Sequence, residues 1–234
     1  MMRKTKLIVV TSLYLFLVGC AGKTATNSID YVEPIAINVD NQVVVSSNYD
    51  QTWSDLVAEM SKSFYVINNI DKESRLINIS FSINNNISDF IDCGISNRSF
   101  VLGDMNENTT YETADKSVFF TASTVNSAPP NTTYFKVFRS PSLEGRANVY
   151  VAPKGDQTVV SVNTRYIWNV EISSEEYMYM PLYNSYNLVR SKRRDTTNSY
   201  EPNSFNTNSV GVGGATTCVA TGKFEKEILD IIRE

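Results

Sequence analysis

Among 234 residues there is no histidine. A Ser-His-Asp triad, a Cys-His dyad and an imidazole-liganded metal are therefore excluded, and acid–base work is left to groups such as paired carboxylates. Cysteine is scarce as well: Cys20, Cys93 and Cys218 are the three, and no two stand at CxxC spacing, so no redox pair of that kind is encoded. Basic charge is not in excess, with 21 Lys and Arg against 25 Asp and Glu, which disfavours nucleic acid as a partner. Gly211-Val-Gly213-Gly214 lacks the last glycine of a dinucleotide fingerprint and the Lys-Ser/Thr of a phosphate loop; it reads as a glycine-rich strand or bulge, and no cofactor is implied. What remains, 42% hydrophobic and 20% charged residues, is the composition of an ordinary globular domain.

The first twenty residues carry the sharpest pattern. Arg3, Lys4 and Lys6 precede the apolar run Leu7–Val18, and Gly19 and Cys20 follow it. A basic start and a short apolar run form a signal-peptide layout, and about twelve residues fall short of the roughly 17–25 that a membrane-spanning helix needs. Leu17-Val18-Gly19-Cys20 resembles the lipobox of bacterial lipoproteins. The resemblance implies that the Cys20 thiol is acylated, that residues 1–19 are removed and that the new N-terminus takes a further acyl chain. Several chains anchor a domain durably, at about 0.8 kcal/mol per buried CH2. Ala21 stands where an inner-membrane retention signal would have Asp, so the pattern implies the outer membrane, with the domain in the periplasm. Cleavage leaves 18 basic against 25 acidic residues, a balance of −7. In such a compartment thiols pair, and with Cys20 acylated the two that remain, Cys93 and Cys218, are expected to form a disulfide.

Residues 20–36 are small, polar and without sustained period, and read as a lipidated tether to a single domain over 37–234. Val43–Val45 opens a β-rich stretch. Ser47 and Asn48 offer a helix N-cap, and Trp53, Leu56, Val57, Met60 and Phe64 recur at helical spacing over about fifteen residues. Tyr65–Ile70 and Arg75–Ser82, joined by Asp71–Ser74, read as a hairpin. Lys116–Ser123, Thr133–Arg139, Ala147–Ala152 and Gln157–Ile172 are further strand candidates, separated by polar connections such as 106–113 and 126–132. Residues 181–203 read as a long surface loop, followed by a short strand near 204–216. Phe224, Ile228, Leu229 and Ile232 close the chain with a helical stripe, capped by Thr217 or Thr221.

Strand, helix, several antiparallel strands and a terminal helix amount to an α+β class, an antiparallel sheet with an early and a C-terminal helix on one face. Ser46–Trp53, Ile70–Ile77 and Phe224–Ile232 resemble the helix-grip domains of BamC-type outer-membrane lipoproteins, over about residues 40–82 and 205–234. That resemblance implies a helix-grip-like fold and a place beside an envelope assembly.

No catalytic set stands out. Asp71 with Glu73, Asp89 with Asp92, and Glu171 with Glu175 and Glu176 are the carboxylate pairs, and turns and solvated surface account for the first and third. Asp89 and Asp92 lack the calcium-loop pattern, so no metal site is assigned. Tyr177, Tyr179 and Tyr183 together with Arg190, Arg193 and Arg194 form the candidate partner surface, since Tyr and Arg are enriched in interface cores. A strand packed on the terminal helix, followed by a solvated basic loop, explains the same residues without a partner. Two functions stay open: a non-enzymatic accessory or scaffold subunit of an outer-membrane complex, and a binder or sensor of a small apolar ligand held between sheet and terminal helix.

Overall fold

The computed structural model of the chain describes residues 25–122, 133–180, 182–200, 206–209 and 215–233. Cys20 and Gly211–Gly214 lie outside these described residues. Strand β1 (Thr26–Val32) comes first, inside the segment read above as a tether, and pairs antiparallel along its whole length with β6. Strand β2 (Gln42–Val45) follows, then helix α1 (Tyr49–Met60). The Asn48 side chain accepts the Gln51 N–H at 3.0 Å, and Trp53, Leu56 and Met60 are buried, as the spacing predicts. The helix has 12 residues rather than about fifteen, and Phe64 falls beyond it, 61% exposed.

Strands β3 (Val66–Asp71) and β4 (Leu76–Ile83) form the expected hairpin. The Asp71 carboxylate accepts the Ser74 N–H at 3.0 Å, which holds the turn, and the Ser74 side chain together with that N–H keeps this carboxyl below its usual pKa. Then come β5 (Ile91–Asp92), β6 (Ile95–Leu102), β7 (Met105–Glu112), β8 (Ser117–Ala122), β9 (Thr133–Lys154), β10 (Gln157–Met180), β11 (Ser185–Tyr200), β12 (Asn206–Ser209), β13 (Ala215–Ala220) and helix α2 (Lys223–Asp230).

The frame is the β9–β10 hairpin, of 22 and 24 residues. At about 3.3 Å per residue its contour is roughly 80 Å, several times an ordinary strand. Its two halves have different neighbours. Toward the Gly155–Asp156 turn, β9 pairs with β4 and β10 with β2, and both helices pack here; toward the other end β9 pairs with β8 and β10 with β11. The exchange on β9 falls between Arg139, the last partner of β8, and Leu143, the first partner of β4. Pro141 sits in that gap, where its missing N–H breaks no ladder on that side. Two smaller sheets, β1-β6-β7 and β12-β13-β5, complete the described structure.

The main core gathers Ile77, Ile79, Phe81, Val149, Val151, Val160, Val162 and Tyr166 from the sheet with Trp53, Leu56, Met60, Phe224, Ile228 and Leu229 from the helices. Gly145 is where β9 passes beneath Phe81: a Cβ there would overlap the ring, so only hydrogen fits. Helix α2 carries the predicted stripe, but its N-cap position is Gly222, at φ 79°, and not Thr217 or Thr221; the Thr221 hydroxyl, one residue earlier, accepts the Lys223 N–H at the helix start at 3.3 Å and donates to Asp89 O at 2.6 Å.

The α+β, helix-grip-like expectation is therefore corrected. The chain is mostly antiparallel β in several sheets, with two helices among the described residues. The reason lies in three stretches that sequence patterning passes over. Residues 106–113 and 181–203, expected as connections, are largely the strands β7 and β11, and 26–32 is β1. Their residues are mostly Asn, Thr, Ser, Tyr and charged side chains, the few apolar ones, Ile29, Val32, Met105, Leu188 and Val189, give no sustained alternation, and pairing to a neighbouring strand decides their state.

Candidate functional site

The predicted partner surface is a β-hairpin rather than a strand followed by a loop. β10 and β11 run antiparallel in register from Tyr166 opposite Tyr200 to Met180 opposite Ser185, with one bulge at which Glu176 faces Arg190 and Tyr177 faces Leu188. Tyr177, Tyr179 and Tyr183 therefore lie near one end of a long ribbon. Tyr177 stacks on Tyr134 with centroids 5.0 Å apart, Tyr186 meets Tyr134 at 5.1 Å, and Tyr179 meets Tyr186 at 5.3 Å. The Tyr177 hydroxyl donates to Glu175 Oε2 at 2.8 Å and that of Tyr179 to Asn184 Oδ1 at 2.7 Å. The Tyr177 hydroxyl is pushed above the usual phenol pKa, chiefly by the Glu175 carboxylate it donates to. Tyr183 stands apart from this ladder, in the turn, and is largely exposed.

The basic cluster is answered across the ribbon. Arg190 Nε lies 3.2 Å from Glu176 Oε2, and Arg193 Nη2 lies 2.7 Å from Glu171 Oε2. The two features read separately in the sequence, an acidic strand end and a basic segment, are thus the two sides of one hairpin. The backbone of Arg194 pairs with Ile172; its side chain lies outside the described residues. Exposed pairs of this kind contribute about 0–1 kcal/mol each, so they set register more than stability.

Cys93 and Cys218 are joined by a disulfide, as expected, at a sequence separation of 125. The bridge crosses between β5 and β13, where Asp92 already pairs with Val219 and Ile91 with Ala220. It fixes β13, and through it the start of α2. Tyr31 of β1 is built into the same place: its hydroxyl lies 3.0 Å from Cys93 O and 2.9 Å from Thr217 O, and accepts the Thr217 N–H at 3.0 Å. Burial raises its pKa. Gly94, at φ 72°, lets the chain turn directly against Val32 O, a position a Cβ would occupy. The N-terminal strand is in this way tied to the disulfide.

The remaining carboxylate pairs have local partners. Asp89 Oδ2 meets Lys223 Nζ at 2.6 Å, and Asp92 Oδ1 accepts the Gly94 N–H at 2.7 Å. An open groove of about 560 Å³ between α1 and α2 is lined in part by Asp55, Glu59, Glu227 and Asp230. Among the described residues no three Cys, Asp or Glu stand close enough to hold a metal ion. The space between sheet and terminal helix, where an apolar ligand would sit, is occupied by side chains: Phe81 and Phe224 meet edge to face at 4.6 Å, with Tyr166 and Leu229 buried beside them.

Comparison with known protein families, curated proteins and solved structures finds no match for this chain. Nor is any helix among the described residues long and apolar enough to cross a membrane.

Two buried ionisable groups fall outside the residues that sequence patterning singles out. Glu225 of α2 is fully buried; Tyr166 Oη donates to its Oε2 at 3.3 Å, while its Oε1 and the neighbouring Thr164 Oγ1 have no partner in hydrogen-bond geometry. Burial raises its carboxyl pKa. Beside it the Tyr65 hydroxyl donates to Glu227, and both tyrosines are held far above the usual phenol pKa, burial being the larger cause. Arg139 of β9, 6% exposed, donates to Thr113 O at 2.8 Å and Ser117 Oγ at 3.2 Å, and packs over the rings of Tyr111 and Trp168. Desolvation lowers its pKa. Periodicity contains both signals. Glu225 precedes Ile228 and Leu229 by three and four residues, and Arg139 shares the inward face of β9 with Val137 and Leu143.

Proposed function

We propose that this chain is a lipid-anchored envelope protein of the outer membrane, and that its β-rich domain is a non-enzymatic accessory or scaffold subunit of an envelope complex. The observation that carries the reading is the joining of the lipobox-like Leu17–Cys20 to a disulfide-bonded domain whose first strand begins at Thr26. A disulfide belongs to an oxidising compartment, and an acyl anchor next to a folded domain holds that domain at a membrane. The candidate partner surface is the tyrosine ladder of β10 and β11 with the paired Arg190 and Arg193 at its side. The ligand-binding alternative requires space beneath the terminal helix that Phe81, Tyr166 and Phe224 occupy.

Two measurements test this. Intact mass of protein purified from envelopes is expected to show residues 1–19 removed and acyl mass on Cys20; an unmodified Cys20 would sink the anchor. A photo-crosslinking residue placed at Tyr179, Arg190 or Arg193 in cells is expected to capture one envelope protein at near-stoichiometric yield. Diffuse glycan or self-crosslinks from all three positions would refute the scaffold role.

A further inference from the structure

We propose that the Leu182–Tyr183 tip of the β10–β11 hairpin is a second contact with the bilayer that carries acylated Cys20, so that the protein stands on the membrane on two feet, one lipid and one polypeptide. The proposal rests on the lipid-anchor reading above and adds to it an orientation and a lipid-facing site.

The first support is reach. Ala25 stands five steps along the chain from Cys20, and at no more than about 3.6 Å each these span at most roughly 18 Å. Ala25 is therefore held close to the membrane surface. The second support is where Ala25 sits. It packs on the small apolar cluster of Phe100, Leu102, Ala122 and Tyr134, the cluster that also receives Tyr177 and Tyr186. Register places the same elements at one end: Thr26 faces Val101, Ala122 faces Tyr134, and Tyr134 faces Tyr177. From Tyr177 to Met180 the ribbon advances about 10 Å before it turns. The tip and the anchored N-terminus thus lie at the same end, whereas the Gly155–Asp156 turn lies at the far end of the β9–β10 ribbon.

Chemistry supplies the third support. From Tyr177 to Val189 there is no charged residue. The first charges on either strand, Glu176 and Arg190, are paired at 3.2 Å, which lowers the cost of bringing them near the headgroups. At the turn, closed by the Tyr183 N–H to Met180 O at 3.1 Å, Leu182 is 93% and Tyr183 74% exposed. Leu188 and Val189 behind them are also exposed. An aliphatic side chain beside a tyrosine, on an uncharged tip, suits the water–hydrocarbon boundary, where the phenol ring is buried and its hydroxyl stays wet. A bilayer is the occupant that the reach of the anchor itself places there.

The test uses the full chain, processed in cells, purified in detergent and reconstituted into phosphatidylethanolamine–phosphatidylglycerol vesicles, with and without acyl-brominated lipid. Tyr183→Trp and, as a second tip variant, Leu182→Trp are compared with Asp156→Trp at the opposite turn. The native Trp53 and Trp168 are buried, and their emission is subtracted using the unsubstituted protein. Emission from the tip variants is expected to fall at least two-fold in brominated vesicles and that of Asp156→Trp to stay unchanged. Equal quenching at both ends, or none at the tip, in protein whose mass shows acylated Cys20 overturns the tip contact and leaves the anchor standing. Mass showing no acylation removes the anchor and the proposal with it. Crosslinking in cells from position 183 to a single protein instead of lipid would also overturn it.

Discussion

Replacing Glu225 with glutamine is expected to stabilise the protein at pH 8 and to change it little near pH 4. The carboxyl lies in the main core with one hydrogen bond, from Tyr166, and one oxygen that has no partner in hydrogen-bond geometry. Because burial raises its folded-state pKa, the folded chain keeps the proton at pH values where the unfolded chain, with an ordinary glutamate pKa of about 4.3, has released it. The stability this group contributes is fully present below that unfolded value and is lost as pH rises through the raised folded value. Glutamine does not titrate, keeps the shape, accepts from Tyr166 and turns an NH2 toward Thr164 Oγ1, the other atom left without a partner. An unsatisfied buried acceptor costs about 1–3 kcal/mol, which sets the expected gain at pH 8. For a domain of this size that corresponds to a Tm rise of roughly 2–10 °C. The groups facing the site, Tyr166, Tyr65 and Glu227, are unchanged in the variant. Urea unfolding of both proteins at pH 4, 6 and 8 measures the difference, expected to grow with pH. A variant less stable than the wild type at pH 8, or an equal difference at all three pH values, would refute the reasoning.

Replacing Cys93 and Cys218 with serine opens a loop closed across 125 residues; the chain-entropy model gives a loss of about 4–5 kcal/mol, read as a fall in Tm that reduction of the wild type should reproduce. Gly145→Ala drives a methyl into the Phe81 ring and is expected to cost about 1–3 kcal/mol in urea midpoint terms; an unchanged midpoint would mean that the ring has room to move. Arg139→Lys keeps the charge but loses the planar fork that serves Thr113 O and Ser117 Oγ, and a loss of about 1–3 kcal/mol is expected from calorimetry. Arg193→Ala breaks an exposed pair with Glu171 and should change stability by less than about 1 kcal/mol. Any loss of complex recovery in that variant then reports on the surface rather than on folding.

The elements with strong apolar period are legible in the amino-acid sequence by itself. Helix α1 with its Asn48 cap, the β3–β4 hairpin and the stripe of α2 follow from Trp53, Leu56 and Met60, from Ile77 and Ile79, and from Phe224, Ile228 and Leu229, because each set can bury a face in only one conformation. Cysteine count together with the lipobox-like leader suffices to foresee the Cys93–Cys218 bridge. The candidate partner residues are legible as residue types, and the strand character of 177–180 as alternation.

What only the tertiary structure decided is whatever depended on pairing between distant segments. Strands β1, β7 and β11 are mostly polar, with Ile29, Val32, Met105, Leu188 and Val189 too few to set a period, so little that is local distinguishes them from loops; β11 is completed by pairing along β10, where Arg190 and Arg193 meet Glu176 and Glu171, and β1 by the edge that β6 offers. The joining of Thr133–Arg139 and Ala147–Ala152 into a single 22-residue strand likewise turned on Pro141 falling where β9 changes neighbours. A helix closes its hydrogen bonds within its own sequence, and an apolar stripe announces it. A polar strand is completed by another strand, and the identity of that strand is a property of the folded chain.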